Sequence, residues 1–172
     1  MEIQEHVSLA PHTMFHIGGL ARYYCTAKND ADVIEAVLFA KAHHVPYFVL
    51  GGGSNILVSD HGFSGIVIHM KSHEMIWSDD STLVVADAGV SWDKLVEASV
   101  ERSLYGIENL SGIPGSVGGA AGGNIGAYGS EVSSTLDWVD TLDTVSGEIR
   151  RLTNKECELG YRESIFKSEK GK

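Results

Sequence analysis

Residues 113–129 read IPGSVGGAAGGNIGAYG, and seven of these seventeen residues are glycine. The larger side chains in the run are Ile113, Val117, Asn124, Ile125 and Tyr128. Glycine gives up more conformational freedom on folding than any other residue, so such a density serves something other than core packing. It lets backbone N–H groups approach a bulky anion, most often a phosphate. Pro114 is expected in the first turn of a short helix, where its missing N–H costs little. The free N–H groups of the next turn would then face the anion past Gly118, Gly119, Ala120 and Ala121. A flexible linker is the competing reading, but Val117, Ile125 and Tyr128 punctuate the run unlike a glycine-serine tract.

A second glycine cluster, Gly51-Gly52-Gly53-Ser54-Asn55, follows the apolar run Tyr47–Leu50. That run has the character of a strand buried on both faces. Ile56-Leu57-Val58 resumes the β pattern, and Gly65–His69 forms the next strand after a turn at His61–Gly62. Upstream, the alternating Ala21–Ala27 segment reads as a strand after a Gly18–Gly19 turn. Asn29 and Asp30 are helix-capping residues, and Val33, Ile34, Val37, Leu38 and Ala42 recur at helical spacing up to His43. Pro46 stops that helix. Strand, helix and strand in this order make a βαβ unit, for which a right-handed crossover is expected. The glycine cluster lacks the lysine of a P-loop, and a strand rather than a helix should follow it, against the dinucleotide fingerprint. What remains is a tight nest whose Ser54 and Asn55 can hydrogen-bond phosphate oxygens, or an ordinary β-turn.

From Met75 the pattern changes. Ile76–Ser78 and Leu83–Ala86 read as a hairpin across Asp79-Asp80-Ser81. Ser91 is expected to cap a second helix that buries Leu95, Val96, Ser99 and Val100 and ends at Leu104–Ile107. A further hairpin pairs Leu136–Leu142 with Glu148–Leu152 across Ser146–Gly147, and Asn154–Leu159 can form one helical turn. The expected division is a βαβ lobe at 1–72 and an α+β lobe at 73–172, each with one glycine turn. An elongated phosphate-bearing cofactor held between lobes suits that layout.

Composition narrows the function. A formal net charge of −10 argues against nonspecific nucleic-acid binding, which needs a basic field. No apolar run approaches the roughly 20 residues that span a bilayer, and residues 1–13 do not form a secretory signal. A cytoplasmic location is expected. Cys25 and Cys157 read as reduced, semi-buried thiols, and the eight histidines show no metal-ligand spacing, so no metal is expected. His43–His44 ends a helix, where cationic side chains suit the dipole.

Three motifs in fixed order carry a resemblance: LGGGSNILV at 50–58, IPGSVGGAAGGNIGAYG at 113–129 and GYRESIFK at 160–167. Together they resemble the UDP-N-acetylenolpyruvoylglucosamine reductases, the MurB-type flavoenzymes of peptidoglycan synthesis. Thr13–Gly19 and the Lys155-Glu156-Cys157 segment fit as well, so the likeness covers essentially the whole chain. It implies an α+β, two-lobed FAD-binding module of the PCMH type, with FAD as cofactor and NADPH as its reductant. Gly51, Gly52, Gly53, Ser54 and Asn55 would cradle the FAD pyrophosphate. Ile113, Pro114, Gly115, Ser116, Gly118 and Gly119 would line its other side, with Asn124, Gly126 and Tyr128 near the flavin ring.

The same resemblance makes Arg162 the catalytic arginine, with Tyr161 beside it, acting on the enolpyruvyl group of a UDP-linked amino sugar. Without it, Arg162 reads as a surface ion-pair residue and Tyr161 as an ordinary half-buried tyrosine. The family's proton-donor serine and catalytic glutamate are expected outside this sequence, as is the substrate-binding third domain, so the 172 residues alone should not turn over. Ser164 and Glu163 are not substitutes. A non-catalytic flavin-binding module, or another PCMH-type oxidoreductase, is the alternative.

Overall fold

The computed structural model describes residues 1–80 and 82–167. Ser81, in the expected 79–81 turn, lies outside the described residues. The chain gathers into two compact units, Met1–His73 and Glu74–Lys172.

The first unit contains β1 (Ile3–Ser8), β2 (Leu20–Ala27), α1 (Asp30–Ala42), β3 (Tyr47–Leu50) and β4 (Phe63–Met70). They form a four-stranded sheet in the order β1-β2-β4-β3, with β1 antiparallel to β2 and both β2 and β3 parallel to β4. The βαβ pair therefore flanks β4 instead of pairing directly. This order corrects the reading of β3. It is an edge strand, and Tyr47, Phe48 and Val49 are exposed while Leu50 is buried. The strand covered on both faces is the central one, where Gly65–His69 are all buried. Ile66 and Ile68 point to α1 and pack with Cys25, Ala27, Ala36, Val37 and Ala40. Val67 points the other way, to Leu9, Ala21, Tyr24 and Leu50, as the two-residue period of a strand requires. Each fully buried aliphatic side chain there contributes ~1.5–3 kcal/mol of burial energy.

Asn29 caps α1 as expected, its side chain accepting the Asp32 N–H at 3.0 Å. The buried stripe is Ala36, Val37 and Ala40, whereas Leu38 is exposed. The small alanines let the helix sit close to the sheet, which rotates the larger Leu38 outward. Ile56–Val58 is not a strand. Its flanking Ile56 and Val58 pack against the second face of the sheet and Leu57 points to solvent. β1 has no counterpart in the sequence reading, because only Ile3 and Val7 of its six residues are even partly buried.

The second unit contains β5 (Met75–Trp77), β6 (Val84–Ala86), α2 (Trp92–Glu101), α3 (Val117–Gly123), β7 (Gly126–Ala127), β8 (Ser130–Glu131), β9 (Trp138–Leu142) and β10 (Ile149–Thr153). The strands form three antiparallel hairpins, β5-β6, β7-β8 and β9-β10. The core joins Val90, Trp92, Leu95, Val96, Leu110, Ala120 and Val132. Trp92 is its largest member, and its indole N–H donates to the Leu110 carbonyl at 2.9 Å. Val100 is exposed, not inward, and α2 ends at Glu101, short of Leu104. The cause is Ser103 at φ 59, with Ser103 N–H donating to Val100 O and Leu104 N–H to Ser99 O. That is a Schellman ending. His44 (φ 53) ends α1 the same way and Asn124 (φ 40) ends α3, so α1, α2 and α3 each close on a left-handed residue that is not glycine. Asn154–Glu158 form hydrogen-bonded turns and no helix. Cys25 and Cys157 are both buried free thiols, and burial pushes the Cys25 thiol up to about 11.

Candidate functional site

In the first unit the glycine turn leaves the end of β3. Gly53 is buried at φ +65, and a Cβ there would stand 1.9 Å from the His12 carbonyl oxygen, so only glycine fits. Its own carbonyl accepts the Met14 N–H at 3.0 Å. The Gly51 carbonyl accepts a hydrogen bond from the ring of His69, a buried residue of β4. On its other side the His69 ring meets Tyr24, whose hydroxyl lies 2.5 Å from Nδ1. Burial, with Lys71 and His12 nearby, drives the His69 pKa down to about 4. A neutral ring has one donor and one acceptor, so Nδ1 accepts from Tyr24 and the other nitrogen donates to Gly51. Burial also raises the Tyr24 phenol, which keeps its donor proton in place, and His12 stacks on Tyr24 at 4.9 Å. Two carbonyls of the turn are thus drawn inward. In a trans peptide the N–H points opposite to the C=O, so the N–H groups of Gly52 and Ser54 turn the other way.

In the second unit the expected helix-terminus arrangement is overturned. α3 starts at Val117 behind Ser116, so Pro114 lies before the helix and not in its first turn. The first-turn donors are already used. Val117 N–H donates to Val90 O at 2.9 Å, Gly118 N–H to Ala88 O at 2.9 Å, and Gly119 N–H to the Ser116 hydroxyl at 3.4 Å. Ser91 occupies the cap position of α2 without a side-chain cap; it forms instead a backbone bridge with Ser116, flanked by Trp92 N–H on Gly115 O at 3.1 Å. Ile113 packs on the core.

Gly118 is glycine because a Cβ would meet Ala88 at 2.9 Å. Gly119 and Gly122 have no such reason. A Cβ at Gly119 would touch only Ser116 Oγ, at 3.5 Å, and one at Gly122 would touch nothing within 4 Å. Residues three and four apart share a helix face, so Gly119, Gly122 and Gly123 leave a strip of bare backbone opposite the buried Ala120 and Ala121.

Two tight turns lie beyond the end of α3. Tyr128 (φ 52) and Gly129 (φ 81) form the tip of the β7-β8 hairpin, which has the two positive φ angles of a type I′ turn. Tyr128 is 90 % exposed. Gly126 lies within β7, crowded by Glu131. Gly160 and Glu163 pair through reciprocal N–H···O bonds of 3.0 Å and carry Tyr161 and Arg162 between them. Only the second tip residue has a positive φ, Arg162 at 54, which is the type II pattern. That position favours glycine, yet it holds arginine. Tyr161 is 83 % exposed, not half-buried, and the Lys167 ammonium donates to the Arg162 carbonyl at 2.6 Å.

Asn124, 1 % exposed, connects these turns. Its Nδ2 donates to Glu131 Oε2 at 3.0 Å and to Gly160 O at 2.8 Å, and its Oδ1 accepts the Ser133 N–H at 3.0 Å. The side chain is therefore spent on the protein itself. Ser164 Oγ adds a second tie, donating to Gly122 O at 2.6 Å. The candidate residues thus fall into two sets, Gly51–Asn55 in the first unit and Ile113–Arg162 in the second. His12, Tyr24, His69 and Glu131 support them and had no sequence signal, since each makes its contact with a residue distant in the chain or on another strand. Among the described residues no group of His, Cys, Asp or Glu could hold a metal ion.

A fold of this kind, with its glycine turns, defines a flavin-nucleotide-binding module, and comparison with known proteins bears this out: the FAD binding domain family matches residues 21–153, and the chain belongs to it. Within that family the chain is similar to the UDP-N-acetylenolpyruvoylglucosamine reductase of Pseudomonas aeruginosa, 45% identical over 172 residues, covering 98% of this chain and 50% of the relative. The solved reductase from Thermus caldophilus superposes with a TM-score of 0.78 at 29% identity, covering 95% of this chain and 57% of that one. p-Cresol methylhydroxylase, at 17% identity and a TM-score of 0.64, shares the fold over 87% of this chain and 32% of its own. The architecture is accordingly the α+β, PCMH-type FAD-binding domain, and the likeness is to the N-terminal half of the reductases. The chain spans about half the length of the curated relatives it matches. No helix among the described residues is long and apolar enough to cross a membrane.

The residues fit FAD. The bare strip on α3 is a feature that the chain's own packing leaves open to a close-lying ligand.

Proposed function

We propose that this chain is the FAD-binding part of a reductase that uses NADPH to convert the enolpyruvyl group of UDP-N-acetylglucosamine enolpyruvate into UDP-N-acetylmuramate, a cytoplasmic step of peptidoglycan synthesis. Gly51–Asn55 hold the diphosphate of the cofactor through the outward N–H groups of the turn. Gly115, Ser116 and Gly119 contribute close approach of backbone, not helix-terminal N–H groups, because those are occupied. FAD, reduced by NADPH, supplies the hydride.

Arg162 acts on the substrate. Hydride addition to the methylene carbon of the enolpyruvyl group leaves negative charge on the carbon that bears the carboxylate. A guanidinium fixed beside that carboxylate stabilises the developing charge, and arginine does so without a change of protonation state. Tyr161, next to it on the turn, offers a phenol at the same rim. The proton that completes the reaction comes from an acid outside these residues, so the 172-residue chain does not turn over. Missing one general acid costs ~10²–10⁴ in rate.

The observation that carries this reading is Arg162 itself, an arginine kept at φ 54 where glycine would be easier, in a chain 45% identical to such a reductase. Non-glycine residues in sparsely populated backbone regions cluster at functional sites. The test is spectroscopic. Purified chain is titrated with FAD and then with NADPH under argon. A perturbed flavin spectrum with saturable binding, and no net turnover of the enolpyruvyl sugar nucleotide, is expected. Absence of any flavin binding, or full turnover by these residues alone, overturns it.

A further inference from the structure

We propose that Asn124 is a positioning residue for the Tyr161–Arg162 turn, fastening that turn and the Tyr128 hairpin to the end of α3 as one unit. The inference rests on the reading of Arg162 given above, and it adds a residue whose side chain never meets the ligand.

Its geometry admits one assignment. Nδ2 faces Glu131 Oε2 and the Gly160 carbonyl, both acceptors, while Oδ1 faces the Ser133 N–H, which can only donate. A flipped amide would set oxygen against two acceptors and N–H against N–H, so the orientation is fixed by the partners. Gly160 O then carries two bonds, one from Asn124 and one from the Glu163 N–H that closes the turn. The lock acts on the residue immediately before Tyr161. Through Glu131 and Ser133 the same amide holds the far side of the hairpin that carries Tyr128.

Few residue types meet both demands of position 124. Its backbone is left-handed, at φ 40, and closes α3 with Asn124 N–H on Ala121 O and Ile125 N–H on Ala120 O. Asparagine and glycine tolerate that conformation, but glycine has no side chain. Aspartate tolerates it as well and keeps an acceptor for Ser133, yet it cannot donate to Gly160 and would set a charge against Glu131. Asparagine alone supplies the left-handed backbone, two donors and one acceptor.

The test uses the full 172-residue chain, without and with FAD, followed by amide hydrogen exchange residue by residue. Asn124→Gly keeps the backbone angle and deletes the three bonds. Asn124→Asp with Glu131→Gln restores a bond across to residue 131, since the new amide can donate to the new carboxylate, but it leaves Gly160 without its side-chain donor. In both variants the amides of Gly160 and Glu163 should exchange roughly tenfold faster or more, the effect of losing a buried hydrogen bond. The amides of Leu95 and Val96 in α2 should keep their rates.

A merely structural role predicts something else: uniform acceleration across the second unit in Asn124→Gly, and recovery of all rates in the paired variant. Either result overturns the proposal, as does unchanged exchange at Gly160 and Glu163. If Asn124→Gly unfolds, the paired variant decides alone. The readout needs no cofactor, so failure of flavin binding would strike the proposed function and leave this inference standing.

Discussion

Two substitutions at Arg162 remove the same guanidinium and differ in backbone preference. Among the described residues the guanidinium has no hydrogen-bond or ion-pair partner, so Arg162→Ala should leave the stability of the second unit almost unchanged. Arg162→Gly should raise it. A residue with a Cβ in the left-handed region bears a cost of ~1–2 kcal/mol that glycine escapes. Against this, glycine widens the unfolded ensemble by ~0.4–1 kcal/mol. The difference leaves the glycine variant about 0.5–1 kcal/mol more stable than the alanine one at φ 54.

The assay is urea unfolding followed by indole fluorescence. All three tryptophans, Trp77, Trp92 and Trp138, lie in the second unit, so the signal follows that unit alone. With a slope of ~2 kcal/mol per molar urea, the midpoint of Arg162→Gly should lie ~0.3–0.5 M above that of Arg162→Ala. The two variants should be equally impaired wherever the guanidinium is needed. A glycine midpoint at or below the alanine midpoint would refute the claim that strain is held at this turn, and with it the main structural support for a chemical role of Arg162.

Two further outcomes are expected. Gly119→Ala should stabilise the second unit by ~0.5–1 kcal/mol, because its Cβ meets only Ser116 Oγ, while weakening FAD binding several-fold; unchanged FAD affinity would remove α3 from the cofactor site. The first unit should lose stability on acidification. His69 is held near pKa 4 against about 6.5 unfolded, so between those values the unfolded chain binds the extra proton. Stability from this group is complete above about pH 6.5 and is lost as pH falls toward 4, by at most ~3 kcal/mol. Proton NMR of the His69 ring checks this directly, and a ring titrating near 6.5 would contradict the Tyr24–His69–Gly51 relay.

Legibility followed the range of the interaction. Asn29 capping α1, the Pro46 stop and the β9-β10 hairpin are set by residues close in sequence, and they stand where local patterns put them. Burial of β3 could not be read that way. Four apolar residues suit a covered strand, but the sheet order places β4 between β2 and β3 and leaves β3 at the rim. The end of α2 was misplaced for a related reason: a serine, not a glycine, takes the left-handed position. The roles of His69 and Asn124 depend on partners as distant as Tyr24 and Gly160, and no spacing along the chain announces them.

The glycines show most clearly where sequence stops and structure begins. Their density drew attention to both turns, but density does not separate the reasons for each one. Gly53 and Gly118 are demanded by the chain's own atoms, since a Cβ would strike His12 or Ala88. Gly129 is demanded by its φ of +81. Gly119 and Gly122 answer neither demand, and each weakens a seven-residue helix by ~1 kcal/mol relative to alanine. A fold that keeps two such residues on one helix face, with room for a methyl group at both, has something other than its own packing to accommodate there. The two unforced glycines, and not the number of glycines, are what would admit a cofactor to the outer face of α3 instead of the closed donors at its start.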